Sequence, residues 1–265
     1  MLPKLIDTGG FFLPTYGVLV AIAFLTAIWL TGKLAAKAQL VPDQVTNLAI
    51  YCALAGMAGA KLFMFFFDWR TYLLHPSEIF TVSTLQAAGV FQGGFLVALL
   101  VAIYYIRKHA MPVLVTFDVF APGLALGHAI GRLGCLAAGC CWGAQCERPW
   151  AITFHNPAAH ELTGVPLGIP LHPTQLYESL AELFIFGFLY RQFHQPHRDG
   201  QILGWYLVLY SAVRFAVEFV RNHEQSLIAG LSLTQWISAF TFLAGIWLLN
   251  LGRAGEVEGR AVSRP

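Results

Sequence analysis

Residues 15–32 read TYGVLVAIAFLTAIWLTG, eighteen residues without a charge, and Lys33 and Lys37 follow directly. A helix rises 1.5 Å per residue, so this stretch reaches most of the way across a hydrocarbon layer about 30 Å thick. It has no polar face to turn towards water, and it is therefore read as a membrane span. Its basic residues come after the apolar run, whereas a cleaved leader carries them in front, so the expectation is an uncleaved first span.

Six further stretches of the same kind follow: Val45 to Phe67, Val90 to Ile106, Val113 to Ile130, Thr174 to Tyr190, Ile202 to Val220 and Leu231 to Leu251. The third and fifth of the seven are short. Charged residues make up 11% of the chain, against about 25% in a soluble domain. Mean hydropathy is +0.62. Together these point to an all-α, polytopic integral membrane protein with about seven transmembrane helices.

The basic residues set the expected orientation. Lys33, Lys37, Arg107, Lys108, Arg191, Arg198, Arg253, Arg260 and Arg264 fall in alternate connections and the tail, while Lys4, Arg70, Arg148 and Arg221 fall on the other side. The richer side faces the cytoplasm, which puts the N-terminus outside and the C-terminus inside. Both long connections, 68–89 and 133–172, are then external. The second, about forty residues rich in Gly and Pro, is expected to form a small external head. Residues 1–252 read as one transmembrane domain that includes this loop, and residues 253–265 as a disordered cytoplasmic tail. The formal net charge of +2 singles out no partner, and no nucleic acid is expected.

Ionisable residues inside spans cost several kcal/mol in hydrocarbon and are functional candidates for that reason. Tyr210, Arg214 and Glu218 recur every four residues and share a helix face, with Arg221 three residues on. Glu218 can pair with Arg214 or Arg221, either as a structural ion pair or beside a cavity in which an arginine fork meets phosphate. Arg132 follows the fourth stretch at the start of a run of small residues, where it is either a second phosphate ligand or an interfacial arginine. His172, Pro173, Gln175, Tyr177 and Glu178 open the fifth span, where Pro173 suits the first helical turn and Glu178 needs a partner. Lys61 and Asp118 can be satisfied by snorkelling or structural pairing. Gln92, Gly93 and Gly94 begin the third span, and Tyr16 begins the first; each alone is a weak signal.

Cys135, Cys140, Cys141 and Cys146 lie in the outer loop region, and Cys52 lies in a span. Their C-x4-C-C-x4-C spacing lacks the C-x2-C of zinc ribbons. In an oxidising compartment, disulfides or inert thiols are expected rather than a metal or redox centre.

Taken in order, Tyr16-Gly17, Gly93-Gly94, Gly131-Arg132-x-Gly134, Gly139, Trp142-Gly143, His172-Pro-x-Gln175-Leu-Tyr177-Glu178 and Tyr210-x3-Arg214-x3-Glu218-x2-Arg221 resemble the prolipoprotein diacylglyceryl transferase family. The resemblance covers nearly all seven spans. It implies a bacterial inner-membrane enzyme that moves a diacylglyceryl group from phosphatidylglycerol to the lipobox cysteine thiol of a prolipoprotein signal peptide, with no cofactor and no metal. It also implies a phosphatidylglycerol site drawn from Tyr16, Gln92, Gly93, Gly94, Arg132, Gly143, His172, Gln175, Tyr177, Glu178, Tyr210, Glu218 and Arg221, with Arg132 and Arg214 stabilising the leaving phosphate. The family usually has His where this chain has Gln92, and two asparagines and a glutamate where this chain has Cys135, Ala138 and Cys140. Glutamine cannot take a proton. His128, one turn before Arg132, is a candidate substitute base, and arginine-assisted thiolate formation needs no base at all. Other readings are a membrane thiol–disulfide oxidoreductase, which would need a C-x2-C pair, a divergent lipid-group transferase, and a transporter, which would need paired broken helices.

Overall fold

A computed structural model describes residues 3–7, 12–81, 84, 89–221 and 229–262 of the chain, with side chains as far as residue 251. Its helices are α1 (Thr15–Lys37), α2 (Pro42–Phe67), the short α3 (Trp69–Leu74), α4 (Phe91–Lys108), α5 (Val113–Ala138), the short α6 (Pro157–Thr163), α7 (Thr174–Phe193), α8 (Gln201–Glu218) and α9 (Leu233–Val262). The strands are β1 (Lys4–Asp7) paired antiparallel with β2 (Phe12–Pro14), and β3 (Ile152–Thr153) paired with β4 (Pro170–Leu171). Each of the seven apolar stretches falls on one helix of 18 or more residues. Four of these, at Thr15–Lys37, Pro42–Phe67, Val113–Ala138 and Leu233–Leu251, are long and apolar enough to cross a membrane.

Large apolar side chains lie on the outside, with Phe184 79% and Met57 and Phe66 each 70% exposed, while Gln175, Glu178, Glu182 and Glu218 are buried. Lipid rather than water explains this inversion. Apolar surface costs nothing against acyl chains, and polar groups must find partners inside the protein.

The chain divides into two compact units, Met1–Thr31 with Phe117–Pro265, and Gly32–Thr116. In the second unit, α2 and α4 pack through small residues. A Cβ on Gly59 would lie 2.7 Å from the Val97 side chain, and one on Gly94 would lie 2.7 Å from the Gly56 carbonyl oxygen. Only glycine permits that backbone approach. In the first unit, α1 and α5 meet in the same way, with Gly127 against Ala27 and Gly134 against Tyr16, and α8 meets α9 through Gly204 and Gly245. Asp118, buried on α5, accepts hydrogen bonds from the N–H groups of Gly200 and Leu203, both at 2.7 Å. Its carboxylate thus satisfies orphan donors at the start of α8, a structural pairing.

The structure corrects the sequence reading in two places. The fourth stretch was expected to end at Ile130, yet α5 runs on to Ala138, because nothing breaks the helix before Gly139 turns to φ +79°. Arg132 therefore sits on a helix rather than in a loop. The last helix continues to Val262, into the tail expected to be disordered. All five cysteines are free thiols, the second of the two states expected for them. Within the connection expected from 68 to 89, α3 and a 3-10 turn (Pro76–Phe80) are formed, and residues 82, 83 and 85–88 lie outside the described part.

Residues beyond α5 fold into a small body of their own. Phe154, Ala159, Val165 and Leu171 form its core, with Trp142 and Ile152 packed against them. Asn156 caps α6 by accepting from the Ala158 N–H at 3.0 Å, and Gly164 ends it at φ +73°. Gly143 pairs in the antiparallel sense with Arg221, tying this body to the end of α8. A Cβ on Gly143 would lie 2.5 Å from the Val220 carbonyl oxygen and 2.6 Å from His172 Cβ, so the close approach requires glycine.

Candidate active site

Three helices of the first unit bring most of the singled-out side chains together. Helical spacing puts His128 and Arg132 on one face of α5, Glu178 and Glu182 on one face of α7, and Tyr210, Arg214 and Glu218 on one face of α8. The Ser179 hydroxyl donates to the Ala129 carbonyl at 2.9 Å and fixes α7 against α5.

A continuous polar string runs across them. Glu182 Oε1 lies 3.1 Å from His128 Nδ1. Arg132 Nε donates to His128 Nε2 at 3.2 Å, which leaves Nδ1 as the imidazole's N–H donor to Glu182. Arg132 Nη2 pairs with Glu178 Oε2, and Arg221 Nη1 stands 3.9 Å from Glu178 Oε1. Beside it, Arg214 Nη1 pairs with Glu218 Oε2 at 2.9 Å, and the Ser232 hydroxyl donates to Glu218 Oε1 at 2.9 Å. The Tyr210 ring lies 5.5 Å from the His128 ring and stacks on Tyr206 at 5.7 Å.

Arg132 has five N–H donors in a rigid fork and spends only part of them on His128 and Glu178. The rest are free to meet an anion. Because the lone pair of His128 Nε2 faces Arg132, the imidazole in this arrangement orients the guanidinium rather than waiting for a proton.

The entrance to α7 holds a second group. His172 Nδ1 lies 3.1 Å from the Tyr177 hydroxyl, which also accepts from Trp150 Nε1 at 2.8 Å. Gln175 Nε2 donates to the Cys140 carbonyl and Thr174 Oγ1 to the Cys141 carbonyl, both at 2.6 Å. Tyr16 is 44% exposed and within electrostatic reach of Arg132 and of Cys135, Cys140 and Cys141. These three thiols lie together at the end of α5, with sulfurs within 4.8 Å of one another. The Cys141 thiol is drawn below its ordinary value by the neighbouring thiols of Cys135 and Cys140, then by the charges of Arg221 and Arg132. Cys140, whose thiol donates to the Cys135 carbonyl at 3.7 Å, is pushed up by its own two thiol neighbours.

Gln92, Gly93 and Gly94 belong to the other unit. There Gly93 and Gly94 are buried against Phe63, Gly56 and Ala60 of α2, so close packing already requires both. Several members of the polar groups escaped the sequence reading, Glu182, Trp150, Thr174, Tyr206 and Ser232 among them. Glu182 was legible as a second carboxylate four residues after Glu178. Trp150 carried no signal, since only the folded body brings it to Tyr177.

Comparison with known proteins covers nearly the whole chain. The family model for prolipoprotein diacylglyceryl transferase matches residues 3–251. Proteins named phosphatidylglycerol–prolipoprotein diacylglyceryl transferase include one from Clostridium tetani, 30% identical over 254 residues, covering 96% of this chain and 98% of that protein. One from Clostridium perfringens, named as transferase 2, is 32% identical over 241 residues, covering 90% and 91%. One from Methylobacillus flagellatus is 31% identical over 258 residues, covering 93% and 95%. With its paired arginines and carboxylates inside apolar helices, and with family similarity from residue 3 to residue 251, this chain belongs to the prolipoprotein diacylglyceryl transferase family.

Proposed function

We propose that this protein transfers the diacylglyceryl group of phosphatidylglycerol to the lipobox cysteine thiol of a prolipoprotein. The substrate thiolate attacks the glycerol carbon that bears the phosphate ester. A C–S bond forms as the C–O bond breaks, glycerol phosphate leaves with the electron pair, and the thiol proton passes to the polar string or to water. Charge on the phosphate grows from about −1 towards −2, so donors already fixed in place stabilise the transition state more than the ground state.

Family membership together with the Glu182–His128–Arg132–Glu178–Arg221 string carries this reading. Arg132 and Arg214 face the leaving phosphate, Glu178 and Glu218 hold them, and Arg221 stands on the other oxygen of Glu178. His128 and Glu182 are positioning residues that keep the Arg132 fork in one plane. Tyr16, Gly143, His172, Gln175, Tyr177 and Tyr210 shape the head-group site in the first unit, and Gln92, Gly93 and Gly94 of the other unit keep the lipid-contact role that the resemblance implies. The chain crosses the bacterial inner membrane seven times, with its N-terminus and the body after α5 outside and its tail in the cytoplasm. Residues 1–252 act as one transmembrane domain.

The test uses purified protein, phosphatidylglycerol vesicles and a lipobox peptide, with mass spectrometry of the peptide. A diacylglyceryl adduct on the peptide cysteine, together with release of glycerol phosphate, is the expected result. No adduct, from protein that remains folded and monodisperse, would refute the reading.

A further inference from the structure

The three thiols at the end of α5 take no part in the transfer, whose nucleophile is the substrate cysteine, yet the chain converges them with some care. The N–H groups of Gly139 and Cys140 both donate to the Cys135 carbonyl at 3.0 Å, closing the helix. Gly139 at φ +79° and Cys141 at φ +59° then bend the backbone sharply. The second value is a conformation that side-chain-bearing residues seldom adopt. From the other side, Thr174 and Gln175 grip the carbonyls of Cys141 and Cys140. The result is one buried and two half-buried sulfurs around a common point, all within 4.8 Å.

We propose that Cys135, Cys140 and Cys141 form a binding site for a soft, thiophilic d10 cation of the Cu+ class. Three thiolates at a metal–sulfur length of about 2.3 Å in a trigonal plane stand about 4 Å apart. The observed cluster needs only a small contraction to reach that spacing. Thiolate-only donors select soft ions over Mg2+ or Ca2+. Three thiolates and one monovalent ion carry a charge of −2, which Arg132 and Arg221, both within electrostatic reach of Cys141 and both already paired with Glu178, offset in part. A disulfide would use two sulfurs and leave the third without a role, whereas this geometry draws in all three.

The full-length protein, reduced and held without oxygen in detergent, is titrated with Cu+ against a competing chelator. One ion per chain, with a sulfur-only first shell in X-ray absorption, is expected. Cys135→Ser, Cys140→Ser and Cys141→Ser should each weaken retention tenfold or more, and the triple variant should abolish it. Cys52→Ser and Cys146→Ser should leave it unchanged. A second measurement needs no variant: bound Cu+ should slow alkylation of the three cluster thiols, read by mass spectrometry, and leave Cys52 and Cys146 unaffected. Failure of the wild-type protein to retain the ion, retention by the triple variant, or alkylation rates indifferent to Cu+ would each overturn the proposal. So would a disulfide joining two of the three in protein isolated from cells.

Discussion

Arg132 donates through two of its guanidinium nitrogens, Nε to His128 and Nη2 to Glu178, which leaves the edge at Nη1. If the free edge meets phosphate, Arg132→Ala should lower turnover by about 10²–10³, the usual effect of losing a fixed donor to a developing oxyanion. Arg214→Lys keeps the charge and loses the fork, so a fall of tenfold or more is expected, equivalent to one charge-assisted hydrogen bond of about 1.5–3 kcal/mol. Turnover at saturating phosphatidylglycerol decides both. His128 offers a sharper distinction. As a positioning residue it should cost about tenfold as His128→Gln, with Glu182→Gln similar and the acidic side of the pH–rate profile unchanged. A loss of about 10²–10⁴ accompanied by disappearance of an acidic limb would make His128 the base instead. Spacing made His128, Arg132, Arg214 and Glu218 legible in the sequence, because partners on one helix recur every three or four residues. It could not show that Glu178 is shared by Arg132 of α5 and Arg221 just beyond α8, since that contact depends on how α5, α7 and the end of α8 pack.

Among the helices, glycine at contact faces is the recurring device, and it complicates the reading of Gly93 and Gly94. These residues resemble the family's lipid-site motif, yet a Cβ on Gly94 would run into the Gly56 carbonyl oxygen of α2 at 2.7 Å. Gly59→Ala makes the matching clash with Val97 from the other helix and touches no residue assigned to the lipid. Both changes should destabilise by about 1–3 kcal/mol through overpacking, visible as a lower midpoint of thermal unfolding in detergent. If Gly94→Ala raises KM for phosphatidylglycerol where Gly59→Ala does not, Gly94 has a binding role beyond packing. The boundaries of α5 and α9 were the least legible part of the fold. Apolar content finds where a helix can cross a bilayer, but a helix continues until something breaks it. On α5 that is Gly139, nine residues beyond the last residue of the apolar stretch.

At the scale of the whole molecule, the alternation of basic connections predicts the topology. Reporter fusions after Arg107–Lys108 and at the C-terminus should show cytoplasmic activity, and fusions between Ala138 and His172 should show external activity. External signal at Arg107–Lys108 would reverse the orientation. Seven long helices were legible because apolar residues run almost unbroken along them, as the outward Phe184 and Met57 show, and four of the seven are long and apolar enough to cross a membrane. The partition into two units was not, because it depends on which helix faces are complementary. Those faces are written in glycines rather than in hydropathy.

The string and its neighbours carry three guanidiniums, Arg132, Arg214 and Arg221, and three carboxylates, Glu178, Glu182 and Glu218. With neutral imidazole, their charges sum to zero. An electroneutral chamber exerts little long-range pull on ions in solution, because the fields of its paired charges cancel within a few ångströms. Free phosphate or sulfate therefore has no reason to lodge there, although its oxygens suit the same donors. A phosphatidyl anion arrives already held by its acyl chains and needs only short-range donors. Selection between a lipid phosphate and dissolved phosphate then rests on anchorage rather than on charge. Millimolar inorganic phosphate should accordingly leave the transfer rate nearly unchanged, and strong competition by phosphate would show that the chamber carries an excess of positive charge.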